Sequence, residues 1–532
     1  MAASERKNHW IALCALALVL HGAASAAPAI ETLQQMATRA SEAPAVADAS
    51  LIACQGLRPD LDVRKYTAQM DALASELKPR LLSAPDPQAK LRVMAEAIYG
   101  KWGFAAQAVL PPTVFTGLDD VLDKRHWNCF GMTLLYLGLG ERLGLPLRMV
   151  SGRGHAFVEW NAPAPLYIET TQQGRAYGNK DYLKSYLPFP CVDPNDYAAL
   201  DARQAIAVIT VQIALTLQDK GQYPQAAAYY DCALRFDPKQ AEAQTGIGII
   251  ALAQHKPGDA ITAFRKALAI SSAFREAYGG LGEALHANGD TDGALDVYRK
   301  LLGLCAAEPK AQFNLGQLLY EKNDLDGAIA AYQKYIALLP NDPDGYARLA
   351  FPLEDKGDLD GALAAYKKAL SLNPNYIDAY VNMGHLIEKR NDAKGAENAY
   401  RSALALQSNH PLALSGLGRA LALQGRIEEA LKHLQRASEL APADAGVWID
   451  YGNVTRKTGE SARAIGMYRR AIECDPTDSE AYLALAETQR DAGAMNDAKV
   501  SAEKARALGA KLPPALEALV NPVPAPGAAP KK

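Results

Sequence analysis

From about residue 207 the chain repeats one pattern of small and large apolar positions at a fixed step. Small residues recur as Ala226, Ala260, Ala294, Ala328, Ala362, Ala396, Ala430, Ala464 and Ala498, each 34 residues after the last over nine copies. Four residues after most of them stands a large ring: Tyr230, Phe264, Tyr298, Tyr332, Tyr366, Tyr400 and Tyr468, with Leu434 and Ala502 breaking the column. Glycines fall twelve residues before six of the alanines, at Gly248, Gly282, Gly316, Gly384, Gly418 and Gly452. Prolines close several units, at Pro238, Pro340, Pro374, Pro442 and Pro476. A unit of this length cannot bury its apolar face alone, whereas nine stacked units can.

Before the repeats, residues 27 to about 200 are expected to form a separate domain. The segments DVRKYTAQMDALASELKPRL and PQAKLRVMAEAIYGKW carry apolar residues at helical spacing. GLDDVLDKRHWN reads as a short helix or turn. Cys129 then opens a helix through Leu143, with Met132, Leu135, Leu139 and Leu143 as its apolar stripe. Gly144 and Pro146 end that helix. LRMVSG, HAFVEW and LYIETT follow, three short β-branched and aromatic runs that predict a small antiparallel sheet. The fold class is therefore α+β, followed by an all-α repeat array. Gly138, Gly140 and Gly144 lie within or at the end of the helix and make no phosphate loop.

The chain's two ends break from these patterns. Arg6 and Lys7 precede an apolar run from Trp10 to Leu20, and HGAASA ends in an A-x-A pattern at Ala24 to Ala26. That order predicts a secretory signal over residues 1–26, cleaved after Ala26. The run is 11 residues, short of the ~20 needed to span a bilayer. The expected location is periplasmic or secreted, the alternative being an anchor left uncleaved. The last stretch, PPALEALVNPVPAPGAAPKK, is rich in proline and alanine and predicts a disordered tail over residues 513–532.

Lys+Arg 56 against Asp+Glu 59 leave a net charge of -3. No basic excess points to nucleic acid and no Lys/Arg run to a membrane surface. Of seven cysteines, Cys14 leaves with the signal. Cys54 and Cys191 flank one compact segment and could bridge in an oxidising compartment, leaving Cys129 free. Cys232, Cys305 and Cys474 lie far apart among the repeats and read as buried singletons.

Cys129 sits at a helix N-terminus, where unpaired N–H groups and the helix dipole favour thiolate over thiol. HAFVEW and LYIETT are separated by NAPAP, a plausible hairpin connection. With Ala162 as pivot, His155 and Glu169 would be near-opposite neighbours, Cβ atoms about 5 Å apart. An imidazole could take the thiol's proton, and a carboxylate could fix the imidazole's tautomer. Only His126 and His155 lie in this domain, which narrows the choice of base. Other readings stay open: a core cysteine, a Glu169 paired with Arg148 or Arg153, or a metal held by His126, Cys129, His155 and Glu169. Structural metal sites usually carry tighter paired spacing.

Two resemblances follow from these residues. The 34-residue pattern resembles the tetratricopeptide repeat, which implies two antiparallel helices per unit over residues 207–512. Glycine and alanine let the helices approach, the ring fills the gap to the next unit, and proline ends the second helix because it cannot donate to the preceding turn. Such arrays normally offer a groove to a protein or peptide partner. Here one groove column reads Glu283, Gln317, His385, Arg419, Asn453 and Glu487, with no dominant charge sign.

CFGMTLLYLGLGERLGLPLRMVSGRGHAFVEW followed by YIETT resembles the transglutaminase-like core, and ETTQQG is closer to a bacterial branch often fused to tetratricopeptide repeats. Residue by residue, the resemblance makes Cys129 the nucleophile, His155 the base and Glu169 the acid, where the broader family usually has aspartate. The backbone N–H of Cys129 is the candidate oxyanion donor, with Trp127 or Asn128 shaping the site. The family implies acyl transfer or amide hydrolysis with neither metal nor organic cofactor. The rival expectation is a non-catalytic binding scaffold or envelope assembly factor.

Overall fold

A computed structural model of the chain describes residues 28–39, 45–106, 117–152, 155–181 and 197–521. The expected signal, Cys191, Arg153 and residues 522–532 lie outside them. The chain divides into two compact units, Met1–Ala311 and Gln312–Lys532. Together the described elements are a small sheet with helices toward the N-terminus, then a long run of paired helices.

The first unit opens with α1 (residues 28–38), α2 (Val46–Cys54), α3 (Val63–Leu82), α4 (Pro87–Ala95) and α5 (Leu118–Lys124), of which α2, α3 and α5 pack directly on α6 (Cys129–Leu143). Every residue of α6 from Phe130 to Gly140 is buried, so the stripe read from the sequence is one side of a central helix covered all round. Its charged residues are confined to the C-terminal turn and tie it to its neighbours. Glu141 accepts from the Val46 N–H at 2.6 Å, capping α2, while Arg142 bridges Asp48 at 2.9 Å and Asp71 at 2.6 Å.

Two short parallel strands, β1 (Ala105–Ala106) and β2 (His126–Trp127), fix the backbone just before α6. The main sheet comprises β3 (Leu147–Gly152), β4 (His155–Trp160), β5 (Leu166–Glu169), β6 (Arg175–Tyr177) and β7 (Ala198–Ala199). Its spatial order is β6-β5-β4-β3-β7, all neighbours antiparallel. It has five strands because short segments extend both edges of the expected three. All six residues of the central strand β4 are buried. Ala156, Val158 and Trp160 join the core that contains α6, whereas Phe157 packs with Val150 and Tyr197, as alternation across a pleat requires.

The core does not stop where the sheet ends. One continuous cluster runs from Leu33 through α6 to Ala205, Tyr229 and Ile250, joining the α/β elements to the first repeat helices, α7 (Ala202–Asp219) and α8 (Tyr223–Phe236). Tyr229 donates to the Ala53 carbonyl at 3.1 Å, and Arg203 donates to the Ala37 carbonyl at 2.8 Å. The α/β portion and the start of the array thus belong to one packing unit. Cys232 and Cys305 are buried, as read from the sequence, but Cys474 is only half-buried.

Within the second unit the repeat logic is visible residue by residue. Tyr332, Tyr366, Tyr400 and Tyr468 are nearly or fully buried. A methyl placed on Gly384 would lie 2.8 Å from the Tyr400 ring, and one on Gly452 2.6 Å from Tyr468. At these two positions the ring of one helix thus lies where a side chain on its partner would stand. Asp324, Asp358 and Asp392 each cap a second helix, accepting from the N–H of Gly327, Gly361 and Gly395. The tail expected to be disordered begins otherwise: Pro514–Val520 is a helix, with Leu516 and Val520 buried against Ala486 and Ala502. Its two apolar anchors cover the preceding helix pair.

Candidate active site

Asn128 is the N-cap of α6, its side-chain oxygen accepting from the Gly131 N–H at 3.2 Å. This cap fixes where the helix begins and puts Cys129 at its first position, half-buried. The first-turn N–H groups and the positive end of the helix dipole therefore lie beside the thiol. The parallel pairing of Ala106 with Trp127 steers the incoming backbone. The side chains of His126 and Trp127 lie outside the described residues, so the site-shaping expected of Trp127 has no geometry here.

The strands deliver the other two groups. His155 Nε2 lies 2.7 Å from Glu169 Oε2, both residues buried. The His155 ring also makes a hydrogen bond with Cys129. Burial alone would lower the imidazole's affinity for a proton. The hydrogen bonds to Cys129 and Glu169 and the charges of those two groups outweigh it, raising His155 to about 10. Burial likewise opposes ionisation of Glu169, but His155 and Thr171 hold its carboxyl below the usual range. The arrangement sets the imidazole between a thiol and a carboxylate and stabilises its protonated form.

The route to this contact differs from the expected one. Val158 pairs with Ile168, Glu159 with Tyr167 and Trp160 with Leu166, which centres the hairpin on Pro163 rather than Ala162. Continued by one pair, that register sets Glu169 opposite Phe157, so His155 is its diagonal neighbour. Diagonal positions stand about 7–8 Å apart, and the longer glutamate arm reaches across. The departure from aspartate thus has a geometric reason. Arg148 does not compete for Glu169; it pairs with its cross-strand partner Glu159 at 2.5 Å.

Sequence reasoning missed the groups that hold Glu169. Its Oε1 accepts from the Thr171 hydroxyl at 2.6 Å and from the Thr171 N–H at 3.1 Å. Tyr99, from the π-helical turn Glu96–Lys101, donates to the Thr170 carbonyl at 2.6 Å. Gly174, at φ +74, closes the turn by donating to the Glu169 carbonyl at 3.2 Å, and a methyl there would lie 2.3 Å from the Tyr136 hydroxyl. The legible signal was the hydroxyl two residues after the acid in ETT.

Cys54 is a fully buried thiol, pushed up by burial and by the neighbouring Asp119 carboxylate; its expected partner, Cys191, lies outside the described residues. Among the described residues no group of three or more His, Cys, Asp or Glu side chains is arranged to hold a metal ion. In the second unit, Arg419 of the expected groove column is held by Glu388 at 3.1 Å and Asp450 at 2.5 Å. Glu487 pairs with Arg456 at 2.8 Å. These charges bind successive helix pairs to one another.

Comparison with known families matches residues 64–209 to the transglutaminase-like superfamily. Tetratricopeptide-repeat families match residues 211–274, 248–309, 285–350, 353–391, 388–449 and 467–500. The chain carries a transglutaminase-like domain followed by tetratricopeptide repeats. No curated protein matches it. Similar solved structures include a tetratricopeptide repeat protein from Parabacteroides merdae ATCC 43184, at 16% identity and TM-score 0.41, covering 46% of this chain and 97% of that one. MamA is 24% identical with TM-score 0.29, covering 30% and 95%. YrrB, described as a TPR protein with an unusual peptide-binding site, is 22% identical with TM-score 0.32, covering 35% and 97%.

Proposed function

We propose that this chain is an exported enzyme in which Cys129 performs acyl transfer or amide hydrolysis on a polypeptide engaged by the repeats. The observation that carries the reading is the Cys129–His155–Glu169 constellation, with the thiol at a capped helix N-terminus and the imidazole held at 2.7 Å by the carboxylate. Thiolate attack on a carboxamide or peptide carbonyl forms a tetrahedral intermediate. His155 then gives its proton to the departing amine, leaving an acyl-enzyme. Water or a second amine attacks that thioester with His155 as base, giving hydrolysis or cross-linking respectively. The Cys129 backbone N–H is the proposed oxyanion donor, on a helix start shaped by Asn128. The repeats supply a protein-binding region of the kind their family provides.

An alkyne-tagged thiol electrophile applied near pH 6, with peptide mapping, tests the reading. Cys129 is expected to label first, and Cys129→Ala to abolish both that label and turnover of any substrate captured with wild type. Turnover that survives Cys129→Ala would sink it in favour of a scaffold whose activity lies elsewhere. Export predicts a mature N-terminus at Ala27, read by terminal sequencing of protein recovered from the envelope or medium; a mature chain that retains residues 1–26 would refute cleavage.

A further inference from the structure

We propose that Thr171 is a positioning residue for this site, its hydroxyl clamping the Glu169 carboxylate so that one oxygen remains aimed at His155. The inference rests on the nucleophile reading above and adds a residue to it.

A glutamate that reaches a diagonal neighbour has one more torsion to immobilise than an aspartate, and an unrestrained arm would lose its aim. Here each carboxylate oxygen has its own task. Oε2 meets His155 Nε2 at 2.7 Å, while Oε1 takes two donors from one residue, the Thr171 hydroxyl at 2.6 Å and the Thr171 N–H at 3.1 Å. Two donors on one oxygen fix the carboxylate plane as well as its position, which a single contact would not do.

The clamp is itself anchored. Glu169 is the N-cap of the 3-10 turn Thr170–Gln172, whose left-handed end at Gln173 and Gly174 returns an N–H to the Glu169 carbonyl. The Tyr99 hydroxyl pins the middle of the turn through the Thr170 carbonyl. Glu169 is 0% exposed, and hydrogen bonds from a neutral donor to a buried carboxylate are stronger than their solvent-exposed counterparts. Thr171 thereby favours the ionised carboxylate, which favours the imidazolium beside Cys129.

The test is the pH dependence of Cys129 alkylation in the full chain, with iodoacetamide as probe and peptide mapping to separate Cys129 from the other thiols. Thr171→Val is expected to move the acid limb upward by about half to one pH unit, hence to slow alkylation at pH 6 by roughly three- to tenfold. Thr171→Ser keeps the hydroxyl and is expected to restore the wild-type limb. Should valine prevent folding, Thr171→Ala removes the hydroxyl without adding bulk at the γ position and gives the same reading. In a Glu169→Gln background the Thr171 effect is expected to disappear, because Thr171 acts through that carboxylate.

A wild-type thiolate limb that Thr171→Val and Thr171→Ala leave in place would overturn the clamp and spare the nucleophile. Equal shifts in the serine and valine variants, or a shift that persists with Glu169→Gln, would also overturn it. A wild-type Cys129 that titrates as an ordinary thiol near pH 8.5 would bring down the nucleophile reading and the clamp together.

Discussion

The transglutaminase-like part and the repeats of the second unit solve opposite problems with the same amino acids. Around Cys129 the chain gathers residues that are distant in sequence: Cys129 and Glu169 stand 40 positions apart, and the His155–Glu169 contact spans 14. Each must arrive with a defined side-chain direction. Among the repeats, Gly316 meets Tyr332, Gly384 meets Tyr400 and Gly452 meets Tyr468, each pair 16 positions apart, and at the step between the last two Gly418 meets Leu434 instead. Polar groups differ accordingly. Glu388, Arg419 and Asp450 form a half-buried ladder in which one guanidinium ties two carboxylates, whereas the buried carboxylate at Glu169 holds charge on a neighbouring imidazole. Periodicity makes structure legible and cheap to repeat. A single long-range convergence makes chemistry.

The sharpest way to break this comparison is to cut the chain. A fragment ending at residue 201 lacks Ala205, Tyr229 and the rest of the shared core, and is expected to lose cooperative unfolding in a denaturant titration. One ending at Ala311 keeps that packing unit and is expected to retain both cooperative unfolding and Cys129 labelling. A stable, labelling-competent fragment 27–201 would show that the two regions are separable after all.

Next in size is the arm length at the acid. Glu169→Asp keeps the charge but falls short of the diagonal neighbour. It is expected to slow Cys129 alkylation at pH 6 by at least about tenfold, within the range general-base groups supply. Aspartate performing as well as glutamate would remove the register argument.

In the repeats, Gly384→Val forces a side chain against the Tyr400 ring, and is expected to destabilise the second unit by about 1–3 kcal/mol. Unfolding should report the loss while Cys129 alkylation is unchanged. Altered alkylation would mean that the repeats and the site are coupled.

The smallest effect is the pH dependence of the charge pair. His155 is raised from 6.5 to about 10, so its contribution is fully present below pH 6.5 and is lost as pH climbs through 10. Glu169 is lowered from 4.5, so its contribution is present above 4.5 and is lost as pH falls below that value. The two overlap fully between pH 4.5 and 6.5. The stability gap between wild type and Glu169→Gln should therefore be widest near pH 5.5 and narrow by pH 10, as read from denaturant midpoints. A gap that widens toward pH 10 would contradict the imidazolium.

The repeats were legible because their packing is local. Alanine, glycine and tyrosine columns can be counted along the chain, and each count predicts a contact within one helix pair or with the next. The site was legible in its members but not in its geometry. Cys129 opening a helix, and His155 and Glu169 on neighbouring strands, follow from apolar spacing and one hairpin. The pivot at Pro163, the diagonal reach and the clamp from Thr171 do not, because loop conformation sets register and register sets which side chains meet. The same holds for the core shared by α2, α6, α7 and α8. Composition showed where apolar residues lie. Only the folded chain decided that Tyr229 would close over Ala53 rather than over another repeat, since burial rewards contact without naming the partner.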